Sequence, residues 1–322
     1  MIQAGKEVAV VVNPQAAEGR AGRHWPVLEA RLKKELGAFQ LLRTEGPGHG
    51  SILVRTALRA GCGRIISVGG DGTHFEVLNG FFEGGLPIQP DAEMAVIPFG
   101  TGSDLARSLG IPQGIDAAAF AGSARVLRTD VGCITCTQAD GSERTWYFQN
   151  IARIGIGGEV VDRVNHTTKR FGGFVSYLVG TLSSLLIYRD QEVRFAIDDA
   201  EIGGLLKEFI IANGSYDGGG MHVAPHARMD NGLFDIYHIG SVGLLDALLN
   251  LPKIYRGRLH KRPDVVKYLR GRRITAESAF PIKVEADGEM LGYLPARVEV
   301  LPGAITLVTG DRPRSAVAPS PR

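Results

Sequence analysis

The N-terminal part of the chain, residues 1–129, alternates short apolar runs with stretches in which apolar residues recur at helical spacing. Short apolar runs predict buried strands, and a period of about 3.6 residues predicts amphipathic helices. Strands are predicted at 7–12, 40–43, 65–68 and 93–98, and helices at 21–36, 51–60 and 103–109, with a further helix after the strand at 65–68. Alternating strands and helices favour a mostly parallel α/β domain.

From residue 130 onward, segments of β character are separated by turn signals, which indicates a β-rich domain. These strands are predicted at 130–137, 145–154, 191–197, 206–213, 232–239, 282–286 and 296–308, with inserted helices at 172–188 and 242–255. Residues after Gly310 are rich in Pro, Ser and Arg and are expected to be disordered. We therefore predict an α/β domain over 1–129, a β-rich domain over 130–310 and a tail over 311–322.

Composition narrows the functional classes. The chain has 322 residues and is 44% apolar, which fits a globular protein with a buried hydrophobic core. Its formal net charge of +2 is near neutral, so no overall positive field would attract nucleic acid. Its three cysteines are too few for a disulfide scaffold, and Cys133 and Cys136 are predicted as core residues because no second pair completes a zinc site. With no secretory signal and no apolar run approaching ~18 residues, we expect a cytoplasmic protein.

The central chemical signal is a glycine loop between a strand and a helix. Residues 65–68 form an apolar run, Gly69-Gly70-Asp71-Gly72-Thr73 follows, and an amphipathic stretch with Phe75, Leu78 and Phe82 comes next. Backbone N–H groups at a helix start can bind an anion, and glycines permit close approach and positive φ. An aspartate inside such a loop suits a divalent cation between it and a phosphate. The alternative is a tight turn with a solvated aspartate.

Two other stretches favour the phosphate interpretation. Residues 10–19 and 97–107 also follow apolar strands and end in loops of small residues. Loops at the carboxyl ends of neighbouring parallel strands line one crevice in an α/β sheet. The chain lacks the G-x-x-x-x-G-K-[ST] motif, so the phosphates would have to be held in another way.

Taken in order, these motifs resemble the catalytic region of the diacylglycerol kinase and sphingosine kinase family, in particular its soluble bacterial lipid kinases. The resemblance continues through Asp130-Val131-Gly132, the glycine-rich residues 213–220 and Asp287-Gly288-Glu289. It implies a nucleotide-binding α/β domain of the NAD kinase/diacylglycerol kinase-like type. A β-sandwich-like C-terminal domain would follow, with its last strands returning to the first domain. It further implies ATP and Mg²⁺ as cofactors and a lipid acceptor.

The resemblance also assigns roles to individual residues. Glu289 would be the catalytic base, Asp71 would organise the catalytic magnesium, and Asp130 would hold the metal–water network between them. The alternative for Glu289 is a solvated hairpin turn. The residues that match the ATP-contacting positions of the family are Asn13, Pro14, Thr44, Gly69, Gly70, Asp71, Gly72, Thr73 and Thr101. Two further residues, Arg107 and Lys169, are candidate phosphate partners.

Two positions depart from the family pattern. Bacterial relatives bind a structural magnesium through an aspartate where this chain has Asn231, with Arg228 and Leu233 at the accompanying positions. Asparagine keeps a carbonyl oxygen but loses the charge, which weakens a site for a hard cation, the alternative being that Asp230 substitutes for it by a register shift. Ser103 replaces the asparagine of many relatives, and we expect the serine still to cap the helix that follows.

The acceptor is implied to be diacylglycerol or a sphingoid or ceramide-like lipid. An apolar stretch beside a basic run could rest on an anionic membrane, the alternative being a buried helix and a solvated basic face. The residues are Leu244, Leu245, Leu248, Leu249 and Leu251, then Lys253, Arg256, Arg258, Lys261, Arg262, Lys267, Arg270, Arg272 and Arg273. Other candidate functions are a kinase of a soluble acceptor, as in NAD kinases and phosphofructokinases, and a non-catalytic lipid-binding regulator. A homodimer is plausible by base rate.

Overall fold

The computed structural model describes residues 6–100, 102–166 and 187–309, with only the backbone described at 162–166, 244, 248 and 251. Two compact units are present: Met1–Val131 together with Pro302–Arg322, and Gly132–Leu301. The second segment of the first unit shows that the chain returns to it at the end. No helix among the described residues is long and apolar enough to cross a bilayer.

The first unit is built on a parallel sheet. Its strands include β1 (Val8–Val12), β2 (Gln40–Arg43), β3 (Arg64–Gly69) and β6 (Glu93–Pro98), and a two-stranded ribbon adds β4 (Phe82–Glu83) and β5 (Leu86–Pro87). The helices are α1 (Ala16–Leu36), α2 (His49–Arg59), α3 (Asp71–Gly80), α4 (Asp104–Leu109) and α5 (Ala118–Ala121), with a 3₁₀ turn at Gly114–Ala117. The predicted α/β alternation is confirmed.

The strand order of this sheet is β2–β1–β3–β6, and residues Thr306 and Leu307 of the last strand pair parallel to β6. Every residue of β1, β3 and β6 is buried, as expected for parallel strands covered by helices on both faces. All carboxyl ends of these strands therefore lie at one edge, where the loops after them meet.

The second unit is mainly antiparallel. Its strands are β7 (Val126–Thr137, which begins in the first unit), β8 (Glu143–Phe148), β9 (Ile151–Gly155), β10 (Gln191–Ile197), β11 (Ala200–Leu206), β12 (Glu208–Ala212), β13 (Phe234–Ile239), β14 (Val266–Gly271), β15 (Arg273–Glu277), β16 (Lys283–Ala286) and β17 (Glu289–Val308, which ends in the first unit). Its helices are α6 (Ile156–His166) and α7 (Leu244–Tyr255), with a 3₁₀ turn at Leu259–Lys261.

Two groups of strands pack against each other in this unit. The order β14–β13–β12–β9–β16–β17 forms one group, and β10 pairs with β11 and β15. Phe195 of β10 stacks on Phe209 of β12 with ring centroids 3.9 Å apart. This aromatic contact joins the two layers and supports the predicted sandwich-like architecture.

Most element boundaries agree with the predictions to within a few residues, and five differences stand out. Helix α1 starts at Ala16, but Ala17, Glu18 and Gly19 have positive φ, so its regular part begins later. Phe82 lies in β4, not in the helix after the glycine loop. The predicted strand at 145–154 is split into β8 and β9. Elements α5, α6, β4, β5, β11, β14 and β15 were not predicted, and β17 begins at Glu289, before the predicted start at residue 296.

Two predicted segments fall outside the described part of the chain: the tail at 311–322 and the helix at 172–188, apart from its last two residues. Cys133 and Cys136 lie on β7 as free thiols, one half-buried and one buried. Burial raises the pKa of each thiol to about 11. Protonated, partly or fully buried thiols are unreactive, in agreement with a role in the core.

Candidate active site

The loops that follow β1, β2 and β3 converge at one edge of the parallel sheet in the first unit. The Nδ2 atom of Asn13, just after β1, donates to Oγ1 of Thr73 at 3.1 Å. The backbone N–H of Thr44, just after β2, donates to the carbonyl of Val12 at 2.9 Å. The structure therefore brings Asn13 and Thr73 into contact and holds Thr44 beside the end of β1.

The glycine loop is in close contact with the loop after β6. A Cβ added to Gly100 would lie 2.8 Å from Cα of Gly70, and one added to Gly69 would lie 2.4 Å from Oγ1 of Thr73. Neither Gly69, Gly70 nor Gly72 has positive φ, and Gly70 has φ −92°. The expectation of left-handed glycines was therefore wrong at this loop, where glycine is required by close backbone packing.

Gly70 is the residue before α3, so Asp71, Gly72 and Thr73 form its first turn. The first N–H groups of a helix have no acceptor within that helix and carry its positive dipole end. A phosphate placed at this turn would meet backbone donors and a favourable field. The role of residues 69–73 in binding phosphate stays a prediction.

Asp71 connects the glycine loop to α4. Its Oδ2 accepts the N–H of Ser103 at 2.7 Å, and its Oδ1 accepts the N–H of Asp104 at 3.1 Å. A carboxylate at a helix N-terminus satisfies first-turn donors and interacts well with the helix dipole. Ser103 occupies the N-cap position with φ 52°, but its Oγ donates to the carbonyl of Gly100. The expected serine cap was therefore wrong, because Asp71 caps this helix.

A second carboxylate lies next to Asp71. A Cβ added to Gly102 would be 2.7 Å from Oδ2 of Asp71 and 3.5 Å from Oδ2 of Asp104, which locates both acids beside the same glycine. Arg107 binds Oδ1 of Asp104 at 2.6 Å and the carbonyl of Gly102 at 3.1 Å. Arg107 thus lies at the predicted site, where it holds the start of α4, and its role as a phosphate partner stays a prediction.

Helix α3 also holds α2 through Glu76. The two carboxylate oxygens of Glu76 accept the N–H groups of Gly48 at 2.7 Å and Gly50 at 2.9 Å, and its carbonyl accepts the hydroxyl of Ser51. Glu76 therefore supplies the cap of α2, which has no side-chain cap of its own. Because α2 follows the loop that begins at Thr44, this contact fixes that loop relative to the glycine loop.

A buried histidine ties β3 to α3 across the glycine loop. Nδ1 of His74 lies 2.7 Å from Oγ of Ser67. Burial lowers the pKa of His74 to about 3, so the ring is neutral in the folded protein. The contact spans the strand, loop and helix that carry residues 69–73 and therefore restricts their relative movement.

Asp130 lies on β7 in the first unit, where its Oδ1 accepts the N–H of Gly303 at 2.8 Å. Thr129 beside it donates its hydroxyl to the carbonyl of Ile305 at 3.4 Å. These contacts attach β7 to the returning end of β17. The proposed water network from Asp130 to Asp71 and Glu289 stays a prediction.

In the second unit, Asp287 anchors the turn that carries Glu289. Its Oδ2 accepts the N–H of Gln149 at 2.8 Å, and its Oδ1 accepts those of Asn150 and Ile151, both at 3.0 Å. Asp287 itself has φ 50°, a conformation that aspartate tolerates better than most residues. The turn is therefore held by three charge-assisted hydrogen bonds, which is more order than a solvated hairpin has.

Below this turn lies a buried cluster of one arginine and three carboxylates. Arg153 contacts Asp217, Glu208 at 3.2 Å and Glu285 at 3.5 Å, and Oε2 of Glu285 accepts the N–H of Gly288 at 3.2 Å. Burial raises the pKa of Glu285 to about 8 against the opposing effect of Arg153. The cluster supports the turn at 287–289 through the hydrogen bond from the N–H of Gly288 to Glu285.

The predicted structural metal positions lie in the loop before β13. Oδ1 of Asn231 accepts the N–H of Leu233 at 3.0 Å, and Arg228 forms an ion pair with Asp230 at 3.0 Å. Within the described part of the chain, no group of three or more His, Cys, Asp or Glu side chains could hold a metal ion. These residues do not supply the several anionic oxygens that a hard cation prefers, so a metal at Arg228, Asn231 and Leu233 stays a prediction.

Thr101 and Lys169, two further predicted nucleotide contacts, lie outside the described residues. The sequence analysis did not predict that four acids hold the loops and the turn of the site: Glu76, Asp104, Glu285 and Asp287. Glu76 gave a sequence signal, since an acid on a largely buried helix needs a partner. The partners of the Glu76 carboxylate, Gly48 and Gly50, are 28 and 26 residues away along the chain, so spacing alone could not identify them.

Comparisons with known proteins agree with this arrangement. Residues 7–134 match the diacylglycerol kinase catalytic domain family, and residues 150–309 match the YegS C-terminal NAD kinase beta sandwich-like domain. The chain is 30% identical over 272 residues to a Chromohalobacter salexigens protein named "Probable lipid kinase YegS-like", covering 82% of this chain and 81% of that protein.

Two further relatives extend the likeness over most of the chain. A Staphylococcus carnosus protein named "Diacylglycerol kinase" is 26% identical over 292 residues, covering 90% of this chain and 91% of its own. The crystal structure of a candidate diacylglycerol kinase from Bacillus anthracis has a TM-score of 0.78 at 24% identity, covering 96% of this chain and 99% of its own, and shows the same fold. The chain therefore belongs to the lipid kinase family defined by the diacylglycerol kinase catalytic domain, with a C-terminal domain of the YegS type.

Proposed function

We propose that this protein transfers the γ-phosphate of ATP to a hydroxyl of a lipid, diacylglycerol or a sphingoid or ceramide-like lipid, with Mg²⁺ and with Glu289 as the general base. Family membership supports a lipid kinase. The observation that carries the acceptor class is an apolar cavity within the second unit. Its lining includes Ile156, Val160, Ile210, Met221, Val223 and Ile239.

This cavity suits an acyl chain and has a polar edge. Arg153 and Glu208 belong to its lining, and Arg153 also contacts Glu285 beneath the turn at 287–289. Ligand sites are commonly apolar with a few polar groups that fix orientation. A lipid tail in the cavity would leave its polar end near the cluster that supports the proposed base.

The nucleotide site is proposed at the edge of the parallel sheet in the first unit. Asn13, Thr44 and residues 69–73 offer an amide, a hydroxyl and helix N-terminal N–H groups. Gly70 and Gly100 contribute no side chain where their two loops are in contact. Phosphoryl transfer requires mainly positioning and electrostatic stabilisation, which such donors provide.

The first unit also offers ligands for Mg²⁺. Magnesium is usually held by one or two carboxylates together with water and substrate phosphates. Asp71 and Asp104 both lie beside Gly102 and meet that requirement. When bound, the ion would offset the charge of the phosphates.

Glu289 would take the proton of the acceptor hydroxyl while the hydroxyl oxygen forms a bond to the γ-phosphorus. At the same time the bond between the γ-phosphorus and the oxygen that bridges the β- and γ-phosphates would break. ADP leaves with the bridging oxygen, and the proton remains on the carboxylate until water removes it. A general base needs a fixed orientation within hydrogen-bond reach of its proton. Asp287 holds the turn that carries Glu289 through the N–H groups of residues 149–151, and Glu285 holds it through the N–H of Gly288.

The test is phosphate transfer from γ-labelled ATP with Mg²⁺ to a panel of diacylglycerol, monoacylglycerol, ceramide and sphingosine in mixed micelles, with NAD as the soluble acceptor. We expect label in a lipid and none in NAD. Ala247→Trp, which places an indole in the cavity from α7, should raise KM for the lipid and leave KM for ATP unchanged. Label in NAD alone would contradict the proposal.

A further inference from the structure

One face of α7 exposes leucines at one end and basic residues at the other. Leu245 and Leu249 are 71% and 69% exposed, and Lys253 and Arg256 are also exposed. Together with Pro252, these residues are spaced i, i+4, i+7, i+8 and i+11, so they share one side of the helix. We call Leu245, Leu249, Pro252, Lys253 and Arg256 the outer face of α7.

The opposite side of α7 covers the apolar cavity. Ala247, Asn250 and Ile254 line that cavity, and Ile254 packs against a buried cluster that includes Met221 and Leu259. Lys253 is exposed and also belongs to the cavity lining, so it lies at the border between the outer face and the cavity side. Helix α7 therefore forms a wall between the cavity and the surface of the second unit. The leucines of the outer face are not needed for this packing, because they point away from it.

Exposed leucines one helical turn apart are unusual in combination with adjacent cations. Single exposed apolar residues are common, but interfacial membrane helices combine exposed apolar residues, which enter the acyl boundary, with Lys or Arg that attract anionic headgroups. Two more exposed basic residues, Arg258 and Lys261, follow directly after α7. The acids of this segment are already paired, since Arg262 binds Asp246 at 3.1 Å and Asp264 at 2.7 Å.

We infer that the outer face of α7 docks on an anionic lipid bilayer, with Leu245 and Leu249 inserted into the acyl boundary and Lys253 and Arg256 at the headgroups. The inference deepens the proposed function, on which it rests, by naming the surface through which the cavity meets its substrate. Apolar burial supplies part of the binding and attraction to anionic lipid supplies the rest.

The docking surface includes fewer of the basic residues than the sequence predicted. Arg270 is held by Asp235 at 3.0 Å, and Arg262 is held by two acids as described. Lys267, Arg272 and Arg273 lie on or beside β14 and β15, apart from α7 along the chain. Of the predicted leucines, the side chains of Leu244, Leu248 and Leu251 lie outside the described residues. The docking surface is therefore assigned to the outer face of α7 alone.

The experiment measures sedimentation of the full-length protein with vesicles of phosphatidylglycerol and phosphatidylcholine in equal parts. Removing two inserted leucines in Leu245→Ser/Leu249→Ser should weaken vesicle binding on the order of 100-fold. Arg256→Glu should weaken it about 10-fold or more on these vesicles and much less on pure phosphatidylcholine. The matched control is Val27→Ser/Ile52→Ser, since these residues of α1 and α2 are 59% and 58% exposed, and it should bind as the wild type does.

The outcomes separate docking from catalysis. Phosphate transfer to a short-chain diacylglycerol dissolved as a monomer should be the same in wild type and the leucine variant. Absence of that transfer in the wild type would refute the proposed function, and the vesicle measurement would still decide whether the outer face of α7 binds the bilayer. Unchanged vesicle binding of the leucine variant would overturn the inference. So would loss of a dimer in that variant by analytical ultracentrifugation, because the leucines would then bind a second copy of the chain.

Discussion

Asp287→Asn should detach the turn that carries Glu289 while preserving its backbone preference. Asparagine tolerates the left-handed φ of 50° at this position nearly as well as aspartate. Its carbonyl oxygen can replace Oδ1 and still accept the N–H groups of Asn150 and Ile151. Its NH₂ group would replace Oδ2 and face the N–H of Gln149, now 2.8 Å from the carboxylate, donor against donor.

The magnitude follows from these contacts. One hydrogen bond to a charged acceptor is lost, which costs about 1.5–3 kcal/mol. The two retained bonds lose their charge assistance, which adds roughly 1 kcal/mol, discounted because Asp287 is only half-buried. We expect the free energy of unfolding to fall by about 2–4 kcal/mol in total, since coupled contacts do not add fully. A displaced Glu289 should lower kcat about 100-fold, as misplacement by ~1 Å can do.

The assay combines urea unfolding with steady-state phosphate transfer, and Asp198→Asn is the matched control. Asp198 also has positive φ, 48°, and also accepts backbone N–H groups, those of Arg272 at 3.1 Å and Arg273 at 2.9 Å. It lies in an exposed turn, so its substitution should cost at most about 1 kcal/mol and leave kcat unchanged. If the two variants behave alike in both measurements, the anchoring role of Asp287 is refuted.

Other predictions concern the carboxylates and the histidine around the two sites. Glu76→Gln should lower stability by about 1.5–3 kcal/mol and raise KM for ATP, because an NH₂ group would face Gly48 or Gly50, whereas Glu83→Gln at an exposed ion pair should do neither. Burial raises the pKa of Glu285 from 4.5 to about 8, so the folded state keeps a proton that the unfolded chain releases, and stability should fall as pH rises across that range. Glu285→Gln should remove this fall in urea midpoints measured at pH 6 and 8.5. His74 has its pKa lowered from 6.5 to about 3, so the stability present above pH 6.5 should decline on acidification. NMR titration should find the His74 ring still neutral at pH 6, and a titration midpoint near the ordinary pKa of 6.5 would contradict its burial.

The fold was largely predictable because its strongest signals are local. The strands at 40–43, 93–98 and 191–197 have the predicted bounds, since apolar runs of this length between turn signals have few alternatives. Elements β11 and α6 were missed because glycines at 203, 204, 157 and 158 weaken both patterns. The split of β8 from β9 was not predictable, because Gln149 and Asn150 leave the ladder to donate to Asp287.

In the candidate site, too, the features with local sequence signals were predictable and the tertiary contacts were not. The glycine loop and the loops after β1 and β6 were identified from strand–loop–helix order, and the structure brings them together at one edge of the sheet. The partners of the acids were not predictable, because Asp71 and Asp104 are 33 residues apart in the hydrogen bond that joins them. A local rule favoured Ser103 as the cap, but the carboxylate of Asp71 occupies that role through a tertiary contact.

The central claim is that Glu289 accepts the proton of a lipid hydroxyl during phosphate transfer from ATP. The most direct test is single-turnover transfer of labelled γ-phosphate by Glu289→Gln, compared with Glu299→Gln, an exposed acid on the same strand. Loss of a general base predicts a rate lower by about 10²–10⁴ in Glu289→Gln, with unchanged ATP binding and a normal rate in Glu299→Gln. A rate within a few-fold of wild type in Glu289→Gln would contradict the claim.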